Sequence, residues 1–133
     1  MASNAELDAL EKKLKQKETF KKLLRDGFRF RKVRRLLGPK PIHFCATPIV
    51  NAFFIKELKN GAPDRTLKKI ELQSIKDIVL GESSSAWHRK KAKEGPSVCF
   101  SLVTDTKNID FHAESQDQRD RFVEALRFIM ENR

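Results

Sequence analysis

The sequence predicts a mostly-β domain with added helices. The architecture is a small seven-stranded antiparallel barrel or sandwich, plugged at one end by a C-terminal helix and preceded by an N-terminal one. Three observations predict it. Short apolar-polar alternations recur from Phe28 to His112, separated by turn signals. A single amphipathic helix closes the chain. The 133 residues, 39% hydrophobic and 35% charged, suit one core.

Residues 1–25 read as a basic helix and 26–133 as the β-rich domain. Ser3 and Glu6 have capping-box spacing. Leu7, Leu10 and Leu14 make an apolar stripe that lapses at Lys17 and resumes at Phe20, Leu23 and Leu24. The stripe predicts a helix docked through its second half, and its basic middle offers a surface to a membrane. Asp26-Gly27 ends it. Phe28, Phe30 and Val33 alternate with Arg29, Arg31 and Lys32 on the first strand. Pro41–Thr47 and Ala52–Leu58 follow as strands, with Asn60-Gly61-Ala62-Pro63-Asp64 as a turn. Leu67–Gln73 and Ser74–Leu80 read as the fourth and fifth strands. A polar loop spans Gly81 to Gly95. Val98–Leu102 and Ile109–His112 form a hairpin about Thr104–Asn108. Ser115 and Gln118 form a second capping box at the start of the last helix, whose apolar face is Phe122, Val123, Ala125, Leu126, Ile129 and Met130.

Net charge is +10, with 28 Lys/Arg against 18 Asp/Glu, so the expected partners are acidic: membrane lipid, nucleic acid or an acidic protein. The charge is polarised. Residues 1–40 carry 13 cations against 5 acids, whereas residues 96–133 carry 5 against 7. The densest region is residues 29–40, with Arg29, Arg31, Lys32, Arg34, Arg35 and Lys40 around Leu36-Leu37-Gly38-Pro39. Cations around an apolar loop tip suit an anionic membrane: the cations attract acidic headgroups and the leucines enter the acyl boundary. Nucleic acid is disfavoured, because aromatic residues interleave with these cations only at Phe28 and Phe30 and make no stacking platform.

Lys32, Arg34 and Lys40 are the first headgroup candidates, since a phosphomonoester needs convergent Lys and Arg donors. Arg31, Arg35, Lys21 and Lys22 add attraction that salt weakens. Leu36 and Leu37 are candidates for insertion. So is Trp87, the lone tryptophan, set in a polar loop beside His88, Arg89, Lys90 and Lys91. Each of these three also has a structural reading, as a side chain folded back on the domain.

No Gly-rich phosphate loop, metal-ligand spacing or nucleophile-base signature appears, so neither catalysis nor a cofactor or metal is expected. Cys45 and Cys99 lie in apolar runs and read as buried free thiols. No apolar run reaches membrane-spanning length. Ala2 stands where N-myristoylation requires glycine. The expected state is a monomer on the cytosolic face of a membrane, held by a second signal besides this domain, either a lipid chain or a protein partner.

Three stretches carry a family resemblance over residues 22–131: Gly27 ahead of Lys32 and Arg34, the segment from Ile70 through Ser74-Ile75 to Gly81, and Phe122-Val123-Glu124-Ala125-Leu126. The sequence resembles a pleckstrin-homology (PH) domain, and within that family the phospholipase C type. A domain of this size behind a basic N-terminal helix is also similar to the acylated PH proteins of apicomplexan parasites. That resemblance implies sensing of phosphatidic acid in microneme exocytosis, with an acylated N-terminus. Two positions depart from the family. Phe122 replaces its usual tryptophan. The second strand reads Lys40-Pro41-Ile42-His43-Phe44, leaving Lys40 and His43 where the family has a basic pair. Fewer donors favour the single phosphomonoester of phosphatidic acid slightly over phosphoinositides. Lys56, Lys68 or Arg89 would supply the missing cations if a phosphoinositide were preferred. The same fold also serves as a protein-interaction adaptor, with a peptide groove between the fifth strand and the last helix.

Overall fold

The computed structural model describes residues 3–133. Ala2, on which the myristoylation reading rests, lies outside the described residues.

Helix α1 (Asn4–Asp26) starts at the expected reciprocal cap, with Ser3 Oγ accepting from Glu6 N–H and the Glu6 side chain accepting from Ser3 N–H. It stops at Gly27, whose φ of +91° favours glycine. No side chain would fit there either: a Cβ would meet the His43 ring at 2.5 Å. Only the second half of α1 joins the body. Leu24 is fully buried, and Phe20 and Leu23 pack on the core.

Seven strands form one antiparallel sheet in the order β4-β3-β2-β1-β7-β6-β5. They are β1 (Phe28–Lys32), β2 (Lys40–Ala46), β3 (Ala52–Lys59), β4 (Ala62–Glu71), β5 (Ile75–Leu80), β6 (Cys99–Thr104) and β7 (Asn108–His112). The sheet curls around its core without closing, so β4 and β5 are its edges. Helix α3 (Gln116–Glu131) plugs it, setting Phe122 among Phe28, Phe30, Phe44 and Phe100 at ring-centroid distances of 5.0–5.4 Å. Phe122 therefore stands at the centre of the core. Cys45 and Cys99 are buried free thiols.

Four local expectations are corrected. The turn before β4 is two residues long, because Asn60 (φ +54°) and Gly61 (φ +78°) make the tight hairpin on their own. Pro63 and Asp64 then lie on β4, where an edge strand tolerates a missing N–H. A 3₁₀ turn at Leu72–Ser74 separates β4 from β5. The polar loop contains helix α2 (Ser85–Arg89), capped by Ser84 Oγ accepting from Trp87 N–H. At α3 only half of the capping box forms. Ser115 Oγ accepts from Gln118 N–H, but the Gln118 side chain accepts from Glu114 N–H and donates to the Arg29 carbonyl.

Candidate functional site

Side chains alternate across a strand, so the parity of the core also places polar residues at the strand ends. Phe28 and Phe30 face the core on β1, and Lys32 continues that face where the strand ends. Ile70 faces the core on β4, and Lys68 shares its parity. The β6–β7 turn, tied by Thr104 N–H donating to the Lys107 carbonyl (2.9 Å), brings Lys107 to the same place. Lys32, Arg34, Arg35, Lys68, Arg89 and Lys107 converge on a cleft of about 260 Å³ with Asp110 in its wall.

The electrostatics of this cleft are unfavourable when it is empty. Among the described residues, no acid lies within ion-pair distance of Lys32, Lys68 or Lys107. Burial and the neighbouring Lys107 and Lys32 ammonium groups pull Lys68 down to about 8. Lys32 is lowered as well, by burial first and then by Lys107 and Lys40. Crowded ammonium groups are stabilised by an anion placed among them.

Asp110 organises one wall. It is buried, and its Oδ1 accepts from the Ser85 and Ser101 hydroxyls. Its Oδ2 makes no hydrogen bond but lies 3.4 Å from Arg89 Nε, which holds that guanidinium at the cleft.

The structure gathers some of the sequence candidates and separates others. Lys32, Arg34 and Arg35 line the cleft. Arg34 Nε donates to the Gly38 carbonyl (2.8 Å) and closes the β1–β2 loop. Leu36 and Leu37 stand out from this loop, 91% and 64% exposed. Lys40 lies opposite Lys32 on the neighbouring strand but bonds Glu57 (3.4 Å), which Arg65 also neutralises. Arg31 points to the other face and pairs with Glu94 (3.1 Å). His43 lies between Arg29 and Lys56 with its ring against Gly27, well back from the loop, and burial and Lys56 lower its pKa. Trp87 is half-buried against the core, with the Lys91 ammonium over its ring at 5.5 Å. Lys56 lies over the Phe54 ring at 5.6 Å. Lys107 is the lining cation that the sequence reading missed, since a lone lysine in a hairpin tip carries no local signal, and Asp110 was missed with it.

The groove expected between β5 and α3 is present but narrowed by α1. Gln16 and Phe20 wall it together with Leu80, Val123 and Phe128, and Phe20 tilts onto Phe128 at 5.1 Å. Among the described residues no helix is long and apolar enough to cross a membrane.

No protein-family model matches the sequence, and no curated protein matches it. Solved structures do match. The PH domain from TgAPH shares 10% identity at a TM-score of 0.60, covering 90% of this chain and 92% of that one. The PH domain of human TBC1 domain family member 2 shares 15% at 0.55, covering 80% of each. S. officinalis PLC21 shares 17% at 0.61 over 82% of this chain, which spans 16% of that larger protein. Likeness at such low identity is likeness of fold, and it agrees with the seven-stranded sheet and the plugging helix: the chain has the pleckstrin-homology fold.

Proposed function

We propose that this chain is a lipid-binding PH module that attaches to a membrane surface by holding an anionic phospholipid headgroup in the cleft between Lys32, Lys68 and Lys107. The observation that carries this reading is the set of three ammonium groups crowded together without an acidic partner. A phosphate among them relieves their repulsion and accepts their hydrogen bonds. Arg34, Arg35 and Arg89 surround it, and each basic residue near an anionic surface contributes roughly 1 kcal/mol, less as salt rises. Leu36 and Leu37 stand beside the cleft on the same loop and enter the acyl boundary as the headgroup binds. Burying a leucine contributes roughly 1.5–3 kcal/mol. Trp87 already packs on the core, so insertion rests on the two leucines. Arg31 and Lys40 are paired with Glu94 and Glu57, and burial and Lys56 hold His43 in its neutral form, so the headgroup donors are the three lysines.

The headgroup reading places phosphatidic acid slightly ahead of phosphoinositides, because one phosphomonoester satisfies the three lysines together. The membrane is the cytosolic face of a secretory organelle and the role is in microneme exocytosis, a reading supported by the family resemblance. The lipid is the direct partner, and no reaction is assigned to the chain.

Vesicle co-sedimentation at near-physiological salt tests the reading, using neutral lipid against equal charge densities of phosphatidic acid, phosphatidylserine and a bisphosphorylated phosphoinositide. Wild type should bind the phosphomonoester vesicles, and Lys32→Glu with Arg34→Glu should abolish binding. Unchanged binding by the double variant would sink the proposal. Stronger binding to the phosphoinositide would keep the cleft and reverse the lipid order.

A further inference from the structure

The first half of α1 is a helix without an intramolecular partner. Residues 4–16 are exposed along their whole length, about 20 Å of helix. Contact with the body begins at Gln16, which edges the β5–α3 groove, and at Lys17, whose Nζ donates to the Asn132 carbonyl. A helical segment this short is marginal in water by itself, yet its start is secured by the Ser3–Glu6 cap. Its apolar residues form one stripe, with Leu7, Leu10 and Leu14 exposed by 49%, 55% and 57%. Their three-then-four spacing is that of a helix–helix seam. Continued by the same rule, the seam reaches Lys17, Lys21 and then Leu24, which is buried in the body. The seam is therefore apolar over the free half of α1, basic at Lys17 and Lys21, and apolar again where Leu24 docks.

Charge along this helix is segregated. Residues 4–11 carry Glu6, Asp8 and Glu11 and no cation, whereas residues 12–22 carry six lysines against Glu18. The helix is thus complementary to itself when reversed. With Leu7 of one copy opposite Leu10 of another in antiparallel orientation, Glu6 flanks Lys13 of the second copy. Two-fold symmetry repeats both contacts. A parallel pair instead sets Glu6 beside Glu11 of its neighbour. An anionic membrane is a poorer occupant of this stripe, because the acids at positions 6, 8 and 11 sit on either side of its first two leucines and are repelled by acidic headgroups.

We infer that two copies of this chain pair antiparallel through the free half of α1, with Leu7 and Leu10 at the seam and Glu6 against Lys13. The sequence expectation of a monomer is then replaced by a concentration-dependent dimer, and the cleft at the end of β1 plays no part in it.

Sedimentation velocity on the full chain over a wide concentration range tests this, with circular dichroism to confirm that each variant keeps its helix. Wild type should self-associate, and Leu10→Asp should be monomeric. Lys13→Glu alone and Glu6→Lys alone should each associate at least tenfold more weakly, since each sets like charges together. An equimolar mixture of those two variants should associate again, because each supplies the charge the other lacks; this arm holds even if Leu10→Asp frays the helix. A wild type that stays monomeric throughout overturns the inference. So does a mixture no better than its components. Loss of vesicle binding by Leu10→Asp beside a monomeric wild type would assign the stripe to the membrane and likewise overturn it.

Discussion

Lys107→Met should make the protein more stable and a poorer membrane binder at once. Lys68 sits at about 8 instead of its ordinary 10.5, with burial the largest cause and Lys107 the next. Without screening, such a shift corresponds to roughly 3 kcal/mol against the charged form. The cleft is open to water, so screening reduces the realised penalty to about 1 kcal/mol. Burial remains in the variant, so removing Lys107 should recover about 0.5 kcal/mol, a rise of roughly 2 °C in Tm.

The pH dependence fixes the sign. Folding holds Lys68 below its unfolded value, so the unfolded chain binds more protons between pH 8 and 10.5, and wild-type stability rises with pH across that window. The penalty is complete below pH 8 and gone near 10.5. Urea unfolding of wild type and Lys107→Met at low salt should therefore show the variant ahead at pH 7 and level near pH 10.5. Added salt should narrow the difference at pH 7. A variant that is no more stable at pH 7, or whose advantage persists at pH 10.5, would refute the crowding of ammonium groups on which the site is built.

Other perturbations separate fold from site. Phe122→Ala should cost about 3–5 kcal/mol by denaturant unfolding, because four phenylalanine rings close on that side chain. Gly27→Ala should cost about 1–3 kcal/mol, and adding His43→Ala should return part of it by removing the ring 2.5 Å from the new Cβ; a fully additive double variant would show that only the backbone conformation matters. Leu36→Asp with Leu37→Asp should change stability by less than about 0.5 kcal/mol, since both are exposed, yet lower vesicle affinity at least tenfold.

Most of the fold was legible because its core alternates. Phe28 and Phe30, Ile42 and Phe44, and Phe100 and Leu102 repeat every second residue and face one interior. Misreadings fell where local chemistry had two solutions. Pro63-Asp64 looks like turn sequence, but Asn60-Gly61 completes the turn unaided, and a proline is harmless on an edge strand. The cap at Ser84 was hidden inside a run of three serines. The site was half legible. Density of charge located the β1–β2 loop, but density does not say which cations converge. Parity does: Lys32, Lys40, Glu57 and Lys68 all continue the inward face of their strands, and Glu57 neutralises Lys40, so Lys32 and Lys68 are left to meet Lys107. The exposure of Leu7, Leu10 and Leu14 could not be read from their spacing, which is the same for a docked and an undocked helix.

The most direct test of the cleft is a titration with glycerol 3-phosphate followed by NMR of the lysine ammonium groups. The account predicts that Lys32, Lys68 and Lys107 respond first and together, and that Lys68 titrates well above 8 once the phosphate is bound. Responses confined to the lysines of α1, or spread evenly over the basic surface with Lys68 unmoved, would contradict it.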